Sequence, residues 1–259
     1  MKSDGSMGVA FLNPFLASWR NTSFDNYVMN KHIVIIGASK GIGNALTKRL
    51  TSTNHVVTAI SRSKGDLATV ANVIFHPFDI TSEDQFPPVE GAVDGIAYCP
   101  GTINLKPFNR LTEKDFLKDL NVNLLGAVKA IQALLPNLKQ AENPSIVLFS
   151  TVAVQTGMGF HASVSAVKGA VEGLTRSLAA EFAPTIRVNC IAPSLTDTPL
   201  AERLLNSQEK RESAAARNPL HKVGTADEVA AMAEFLLTGE SNWITGQIFH
   251  VDGGMGSLR

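Results

Sequence analysis

One stretch constrains the fold of this chain more than any other, because an apolar run, three glycines and a helix-forming segment follow each other directly. Residues 33–36 are all β-branched, as expected of a strand that is buried on both faces of a sheet. Gly37, Gly41 and Gly43 come next, and residues 44–50 favour a helix. The stretch therefore predicts the strand, tight turn and helix that begin a parallel α/β sheet.

The three glycines are suited to a phosphate group. Gly37 permits a turn that a Cβ would hinder, while Gly41 and Gly43 let the backbone approach a ligand and the neighbouring strand. The helix that follows directs free N–H groups and the positive end of its dipole outwards. A glycine turn used only for packing is the alternative. The strand before it and the helix after it favour a dinucleotide pyrophosphate site.

The end of the second strand indicates which dinucleotide is bound. Residues 55–60 form a short apolar run that ends in Ser61 and Arg62. This position, about 20 residues beyond the glycines, is where a dinucleotide fold meets the adenosine ribose. An acidic residue there would bind a free 2′-hydroxyl, whereas this chain offers Arg62, with Lys40 in the glycine loop. Two cations favour a 2′-phosphate, so the sequence predicts NADP(H) over NAD(H); two solvated surface cations are the alternative.

The rest of the chain alternates between strands and helices. Further strands are predicted at 73–79, 94–101, 145–151, 185–193 and 247–254. Helices are predicted at 111–138, 161–182 and 225–237. The intervening segments 65–70 and 82–88 are too short for full helices. We predict a single α/β domain over residues 31–259, of the Rossmann-type doubly wound class, with a seven-stranded parallel sheet and shortened helices on one flank. Residues 196–223 are predicted to form a substrate lid.

Composition excludes several classes of function. The 259 residues, of which 44% are hydrophobic, are enough for one large domain with a sizeable core. Lys plus Arg equals Asp plus Glu at 23 each, which argues against a nucleic-acid partner. No apolar run is long enough to span a membrane, and no metal site is predicted. The two cysteines, Cys99 and Cys190, form no disulfide framework, so a reducing, cytoplasmic location is expected.

Residues 1–30 differ from the rest of the chain. They mix Gly, Ser, Asn and scattered aromatic residues without clear periodicity, and they lack the ordered parts of a signal peptide. Met29 lies just before the first strand and offers a natural start. We interpret residues 1–30 as an N-terminal extension left by cloning or by a misplaced start. An arm that packs on a partner subunit is the alternative.

Several motifs resemble those of the short-chain dehydrogenase/reductase family. Residues 37–43 look like its cofactor loop, 123–126 look like its active-site asparagine helix, and 168–179 look like its catalytic lysine helix. Residues 187–193 and 251–254 are similar to its late strands. The resemblance extends from residue 31 to the C-terminus and is closest to 3-oxoacyl-carrier-protein reductases. In this order and spacing the motifs are far more specific than a glycine loop alone.

The resemblance implies a site and a class of reaction. It places Asn123, Thr151 and Lys168 at catalytic positions. It implies a cofactor site made of Gly37, Ser39, Lys40, Gly41, Ile42, Gly43, Ser61, Arg62, Asp79, Ile80, Cys99, Pro100, Gly101, Lys168, Pro193, Leu195 and Thr198. It also implies a small-molecule carbonyl or acyl-thioester substrate and a homodimer or homotetramer. Small residues along 162–173 agree with close helix packing, either in the core or between subunits.

The departures from the family pattern concern proton delivery. The family's catalytic tyrosine lies four residues before its lysine, and this chain has Val164 there. The family's serine is replaced by Thr151, its Asn-Asn-Ala-Gly turn by residues 98–101, and a glycine by Ser194. A valine has no proton to donate, and losing a general acid costs about 10²–10⁴-fold in rate.

His161 is a candidate substitute for the missing acid. It lies one helical turn before Val164, on the same face, and histidine titrates near neutral pH. An ordinary histidine at a helix start, bonded to backbone or solvent, is the alternative. Tyr98 is a weaker candidate, and Cys99 is interpreted as a small buried residue. Three hypotheses stay open: a slow NADP(H)-dependent reductase with altered proton delivery, a catalytically silent NADP(H)-binding sensor or partner subunit, and a structural protein without nucleotide.

Overall fold

The computed structural model describes residues 30–258, so residues 1–29 of the interpreted extension lie outside the described part. Nine strands are present in it: β1 (His32–Ile36), β2 (Val56–Ser61), β3 (Val73–Pro77), β4 (Gly95–Tyr98), β5 (Ser145–Phe149), β6 (Arg187–Pro193), β7 (Thr196–Asp197), β8 (Gly224–Thr225) and β9 (Ile248–Val251). Seven of them form one parallel sheet in the order β3-β2-β1-β4-β5-β6-β9. This sheet confirms the predicted Rossmann-type domain.

Helices cover both faces of the sheet. They are α1 (Gly41–Ser52), α2 (Glu113–Leu120), α3 (Gly126–Leu138), α4 (Ala153–Thr156), α5 (Ala162–Phe182), α6 (Glu202–Leu205), α7 (Gln208–Ala216) and α8 (Ala226–Thr238). Side chains of α1 and α8 pack in one buried cluster against the sheet, and those of α3 and α5 pack in the other. A π-helical turn, Asn121–Leu125, joins α2 to α3.

Two helix starts form as their sequences predict. The Thr112 hydroxyl accepts a hydrogen bond from the Asp115 amide at 3.3 Å, and the Asp115 carboxylate accepts one from the Thr112 amide at 3.0 Å. Thr225 and Glu228 make the same reciprocal pair at the start of α8. Each pair satisfies amide groups that a helix start leaves without helical partners.

One flank of the sheet is thin, as predicted. A 3₁₀ helix, Gly65–Thr69, connects β2 to β3, and residues 78–94 between β3 and β4 include no helix. The chain runs from β1 outwards to β3 and then returns to β4 on the other side of β1. The strand order therefore reverses between β1 and β4. In open parallel sheets, ligands bind in the crevice beyond the carboxyl ends of the strands at such a reversal.

Some boundaries differ from the predicted ones. Strand β5 ends at Phe149 and β9 ends at Val251, so Thr151 and Asp252 lie in the loops that follow. The short pair of β7 with β8 was not predicted, and it joins the two ends of residues 196–223. Among residues 30–258, no helix is both long enough and apolar enough to cross a bilayer.

Candidate active site and cofactor site

The glycine loop between β1 and α1 has geometry that only glycine suits. Gly37 and Gly41 have φ values of +78° and +57°, in the region where a side chain is strained. A Cβ on Gly43 would lie 2.4 Å from the carbonyl oxygen of Gly37. The Gly37 amide donates to Ile60 O at 2.8 Å, which ties the loop to β2. Two of the glycines are therefore required by backbone conformation, and the third by close packing.

The start of α1 fits the pyrophosphate of a dinucleotide. Among the described side chains, none caps this helix at Lys40, so the amides of its first turn remain available to a ligand. The buried Nδ2 of Asn44, in the same turn, also has no partner within residues 30–258. The lack of a Cβ at Gly41 keeps the loop close to Thr198, since that Cβ would lie 3.3 Å from the Thr198 Cβ.

The predicted cations lie beside this loop. Lys40 directly precedes α1, Arg62 directly follows β2, and both are exposed. Asp79 follows β3, where hydrogen bonds from the Thr81 amide at 2.9 Å and the Thr81 hydroxyl at 2.7 Å lower the pKa of its carboxyl. The charge of Arg62 adds a smaller effect of the same sign on that pKa. Arg62 and Asp79 therefore lie at the same edge of the sheet, close enough for their charges to interact.

A cavity of about 620 Å³ opens beyond the carboxyl ends of the central strands. Its lining includes ten of the residues that the sequence analysis singled out: Ile42, Cys99, Gly101, Thr151, His161, Val164, Lys168, Pro193, Leu195 and Thr198. The predicted residues outside its lining are Gly37, Ser39, Lys40, Gly41, Gly43, Ser61, Arg62, Asp79, Ile80, Pro100 and Asn123. Ile80 is buried in the core, and Ser61 donates to the Ser63 carbonyl at 3.0 Å.

Lys168 is the buried cation of the cavity. It lies in the second turn of α5, is 7% exposed, and donates from Nζ to the Phe149 carbonyl at 2.7 Å. Burial lowers the pKa of its ammonium group to about 8, against smaller opposing effects of Cys190, Cys99 and Asp119. A lysine with that pKa exchanges its proton close to neutral pH.

The side chains of Asn123 and Lys168 both reach the space beneath Gly101. A Cβ on Gly101 would lie 3.5 Å from Asn123 Oδ1 and 3.8 Å from Lys168 Nζ. Asn123 lies in the π-helical turn and is 1% exposed. Its Nδ2 donates to Thr102 Oγ1 at 2.8 Å and to the Asp119 carbonyl at 2.7 Å. The glycine lets the amide and the ammonium group share one small space.

Thr151 and Val164 face the same cavity with different chemistry. The Thr151 oxygen accepts from the Ala153 amide at 3.3 Å, which leaves the hydroxyl hydrogen free to donate. Val164 lies one helical turn before Lys168 on α5 and is 6% exposed. It brings an apolar surface to the part of the lining that Lys168 and Thr151 also form.

His161 lies just before α5 and keeps one ring nitrogen free. Its Nδ1 is 2.7 Å from the Gly159 carbonyl, and because a carbonyl only accepts, Nδ1 carries the hydrogen. Nε2 is then the nitrogen without a hydrogen-bond partner among residues 30–258. The ring is partly exposed and lines the cavity. The alternative of a histidine bonded to backbone therefore holds for Nδ1, while Nε2 stays available to a substrate.

Two other candidates have no activated group. The Tyr98 hydroxyl donates to the Val122 carbonyl, and burial raises the pKa of the phenol. Burial also raises the pKa of the Cys99 thiol to about 12. Both groups therefore stay protonated at neutral pH.

Two residues of this region were not predicted, Thr102 and Asp119. The Thr102 hydroxyl donates to Asp119 Oδ1 at 2.7 Å, and Asp119 is 1% exposed. The sequence carried one signal of this arrangement: Asp119 lies four residues before Asn123, which puts both on one face of a helix. The contact to Thr102, 17 residues away in the chain, is visible only in the structure.

The fold and this crevice define a protein of the short-chain dehydrogenase/reductase class. The chain belongs to the short-chain dehydrogenase/reductase family, since a family model described as enoyl-(acyl carrier protein) reductase matches residues 37–256. This family binds a nicotinamide cofactor, which the glycine loop and the free amides of α1 fit. The resemblance noted from the motifs is thereby confirmed at the level of the family.

Three known proteins illustrate the similarity. The 3-oxoacyl-[acyl-carrier-protein] reductase FabG of Thermotoga maritima is 32% identical over 241 residues, which cover 87% of this chain and 97% of FabG. The ligand-free aldohexose dehydrogenase AldT of Thermoplasma acidophilum superposes with a TM-score of 0.81 at 26% identity, covering 90% and 96% of the two chains. The structure of ElxO with NADP bound has a TM-score of 0.80 at 26% identity, covering 89% and 100%. Two of these names denote oxidoreductases that differ in substrate, a 3-oxoacyl-[acyl-carrier-protein] reductase and an aldohexose dehydrogenase.

Proposed function

We propose that this protein is an NADP(H)-dependent oxidoreductase that reduces a carbonyl or enoyl substrate and delivers the proton without a tyrosine. The observation that carries the proposal is the space beneath Gly101, which the side chains of Asn123 and Lys168 both reach. Lys168 also lines the adjoining cavity, together with Thr151 and Val164. The first two side chains, with Thr151, match the positions that the family uses for chemistry. Val164 stands in the tyrosine position.

The cofactor side of the proposal is supported by charge and backbone geometry. The first-turn amides of α1 would hold the pyrophosphate, and Lys40 with Arg62 would hold a 2′-phosphate. Lys168 would bind the nicotinamide ribose. The NADP named for ElxO supports the same preference. When bound, the cofactor supplies a hydride to the substrate.

Hydride transfer to a carbonyl carbon leaves negative charge on its oxygen, which side chains of the protein must stabilise and protonate. The Thr151 hydroxyl donates to the substrate oxygen and stabilises negative charge as it develops. His161 lines the cavity and offers an Nε2 without a hydrogen-bond partner among residues 30–258, so we assign it as the proton donor. The Lys168 ammonium adds positive charge to the same space. Val164 excludes water but transfers no proton, so we infer slow turnover.

The cavity suggests a substrate with an apolar body and an anionic end. Apolar side chains dominate its wall, including Ile103, Leu105, Val152, Met158, Leu200 and Leu204. Residues 196–223 supply the last two and also three exposed cations of the lining, Arg203, Lys210 and Arg217, with one carboxylate, Glu209. We infer that this segment is the substrate lid and that an acyl thioester is a suitable substrate class.

A second function is favoured by Val164 itself. With a valine in the tyrosine position, the alternative is a catalytically silent member that binds NADP(H) and serves as a sensor or partner subunit. This alternative keeps the role of the glycine loop, Arg62 and Lys168 in binding. It differs in predicting tight cofactor binding with no hydride transfer to any carbonyl compound.

We also infer a homodimer or homotetramer, in a reducing cytoplasmic location. Small residues leave open space along α5: a Cβ on Gly173 would meet no described atom within 4 Å, and one on Gly169 would meet only Val154 there. A second helix can approach such a surface closely. Both cysteines are free thiols, which suits a reducing compartment. Sedimentation velocity tests the assembly, and a monomer at micromolar concentration would contradict it.

One experiment tests the proposed function and separates it from the alternative. NADPH and NADH are titrated by fluorescence, and cofactor oxidation is then followed with ketones, oxoacyl thioesters and enoyl thioesters. We expect tighter binding of NADPH, slow turnover on one of these classes, and loss of turnover in Lys168→Ala. Binding without turnover on any substrate favours the silent alternative. Failure of NADPH to raise the melting temperature contradicts both, because a bound ligand must stabilise the fold.

A further inference from the structure

A buried carboxylate lies behind the candidate site. Asp119, in the last turn of α2, is 1% exposed, and burying such a charge is costly unless it is paired or hydrogen-bonded. Its Oδ1 accepts from the Thr102 hydroxyl at 2.7 Å. Its Oδ2 is buried and has no hydrogen-bond partner within residues 30–258. A group held at this cost calls for an explanation in what it does to its neighbours.

Asp119 determines the direction of the hydrogen bonds around it. A threonine hydroxyl has a single hydrogen, and at Thr102 the carboxylate accepts it. The Thr102 oxygen can then only accept from its other neighbour, which is Asn123. The Asn123 Nδ2 group donates to it at 2.8 Å, and its second hydrogen goes to the Asp119 carbonyl at 2.7 Å.

The amide oxygen of Asn123 therefore faces the space that Lys168 Nζ also reaches. Both hydrogens of Nδ2 are used, so the side chain cannot rotate by half a turn without losing two bonds. Oδ1 is buried and has no hydrogen-bond partner in the described part of the chain, and a Cβ on Gly101 would lie 3.5 Å from it and 3.8 Å from Lys168 Nζ. Nζ donates one hydrogen to the Phe149 carbonyl, and two more remain for other acceptors.

We propose that Asp119 is a positioning residue: by accepting the Thr102 hydroxyl hydrogen, it keeps Asn123 Oδ1 turned towards Lys168 Nζ. The proposal rests on the proposed function for the meaning of Lys168, and it adds Asp119 and Thr102 to the residues that serve it. Neither residue touches the reacting atoms. Thr102 reaches the cavity wall, whereas Asp119 acts through Thr102 and Asn123.

The charge of Asp119 acts in the same direction as its hydrogen bond. Cys190, Cys99 and Asp119 are the titratable groups whose charges act on Lys168 from the elements around it, and all three favour its ammonium form. The two thiols stay neutral near pH 7, since burial raises the pKa of each to about 12. Asp119 is the one carboxylate among these three groups.

The test uses substitutions that separate hydrogen-bond direction from charge and from packing. Asp119→Asn keeps the shape but lets the new amide donate to Thr102, which reverses the order of donors. Thr102→Val removes the hydroxyl, and Thr102→Ser retains it. Thr175→Val is the matched control, because Thr175 is fully buried and its hydroxyl bonds within its own helix to the Val171 carbonyl.

The readout that does not depend on turnover is the titration of Lys168 in the full-length protein. Competitive acylation with acetic anhydride, followed by mass spectrometry, gives the pH at which this single lysine becomes reactive. We expect Asp119→Asn and Thr102→Val to move that midpoint to lower pH, because the negative end of the Asn123 amide is then no longer held towards the ammonium group. Thr102→Ser and Thr175→Val should keep the wild-type midpoint.

The kinetic readout is the balance of kcat and KM on whichever substrate is turned over. We expect kcat to fall about tenfold in Asp119→Asn and Thr102→Val, the typical cost of a lost hydrogen bond to a charged group, with KM little changed. Rescue by Thr102→Ser distinguishes this role from packing.

Three results would overturn the proposal. Equal behaviour of Thr102→Val and Thr102→Ser would show that the hydroxyl has no role. A midpoint shift in Asp119→Asn alone would leave only a charge effect. Lower melting temperatures with an unchanged Lys168 midpoint would leave only a structural role. Absence of turnover in the wild type would contradict the reductase proposal without touching the labelling result, so the two failures are distinguishable.

Discussion

The two halves of the crevice are built on different principles. The half that would hold the cofactor depends on backbone: Gly37 and Gly41 have positive φ values, and Gly43 packs against the Gly37 carbonyl. The half that would perform chemistry depends on single side chains, and Val164 occupies one of its central positions. Binding geometry that depends on backbone tolerates changes of exposed side chains, whereas proton delivery depends on one side chain.

The same contrast appears in the electrostatics of the two halves. Lys40 and Arg62 are exposed, so solvent screens them and each contributes modestly. Lys168 is buried in a mostly apolar wall, which lowers the pKa of its ammonium to about 8. A single change at Lys168 should therefore affect function more than a single change at either exposed cation.

The largest expected effect is at Gly43. Gly43→Ala places a Cβ 2.4 Å from the Gly37 carbonyl oxygen, and since only backbone lies there, the loop itself must shift. We expect loss of saturable NADPH binding and a lower melting temperature. The control is Gly173→Ala, also within a helix but with no described atom within 4 Å of the added Cβ, where saturable NADPH binding should persist. Similar behaviour of the two variants would contradict the role given to the loop.

The next effect is at Lys168. Lys168→Met keeps the length but removes the charge, and we expect turnover to fall about a thousandfold, the upper range for losing an electrostatic stabiliser. In the wild type the required ammonium form is fully present below a pH of about 8, and it is lost as pH rises through the pKa of about 8. Turnover should therefore decline above that pH. A flat pH profile to pH 10 would contradict the assignment.

A smaller loss of turnover is expected on changing His161. Its ring is partly exposed, so water can replace it in part as the proton donor. His161→Phe should lower turnover about a hundredfold, the low end for a general acid, and leave the NADPH dissociation constant unchanged. The exposed His221 serves as control through His221→Phe. Unchanged turnover in His161→Phe would remove His161 from the mechanism and leave Thr151 and Lys168 as the groups around the substrate.

The smallest functional effect is at Arg62. Arg62→Ala should weaken NADPH binding about tenfold, the cost of one hydrogen bond to a charged group, and leave NADH binding as it was. Lys64→Ala is the matched control, two residues on, because the Lys64 ammonium lies 5.9 Å from the Phe75 ring centre and not in the glycine loop. Equal losses for both cofactors in Arg62→Ala would contradict the 2′-phosphate assignment.

Local patterns were enough to predict the fold. The apolar run at β1, the capping pairs Thr112–Asp115 and Thr225–Glu228, and the short segments of one flank all appear in the structure as the sequence indicated. Each depends on residues a few positions apart, whose preferences act within a single element.

The arrangement of the site was less predictable, because its contacts join distant residues. Thr102 meets Asp119 across 17 positions, and Gly101 covers both Asn123 and Lys168. The π-helical turn at Asn121–Leu125 and the pairing of β7 with β8 also depend on tertiary contacts rather than on local preference. The sequence indicated which residue types were present, while their directions of hydrogen bonding required the structure.

The central claim is that a dinucleotide site built on the glycine loop lies beside a cavity in which Val164 stands in the tyrosine position. The most direct test compares Val164→Tyr with Val164→Phe, two side chains of similar size of which only the tyrosine has a hydroxyl. Both have the 620 Å³ cavity to enter, and NADPH affinity should stay near the wild-type value in both. The account predicts that turnover in Val164→Tyr exceeds that in Val164→Phe by about a hundredfold or more. Equal turnover in the two variants, with NADPH bound in both, would contradict it.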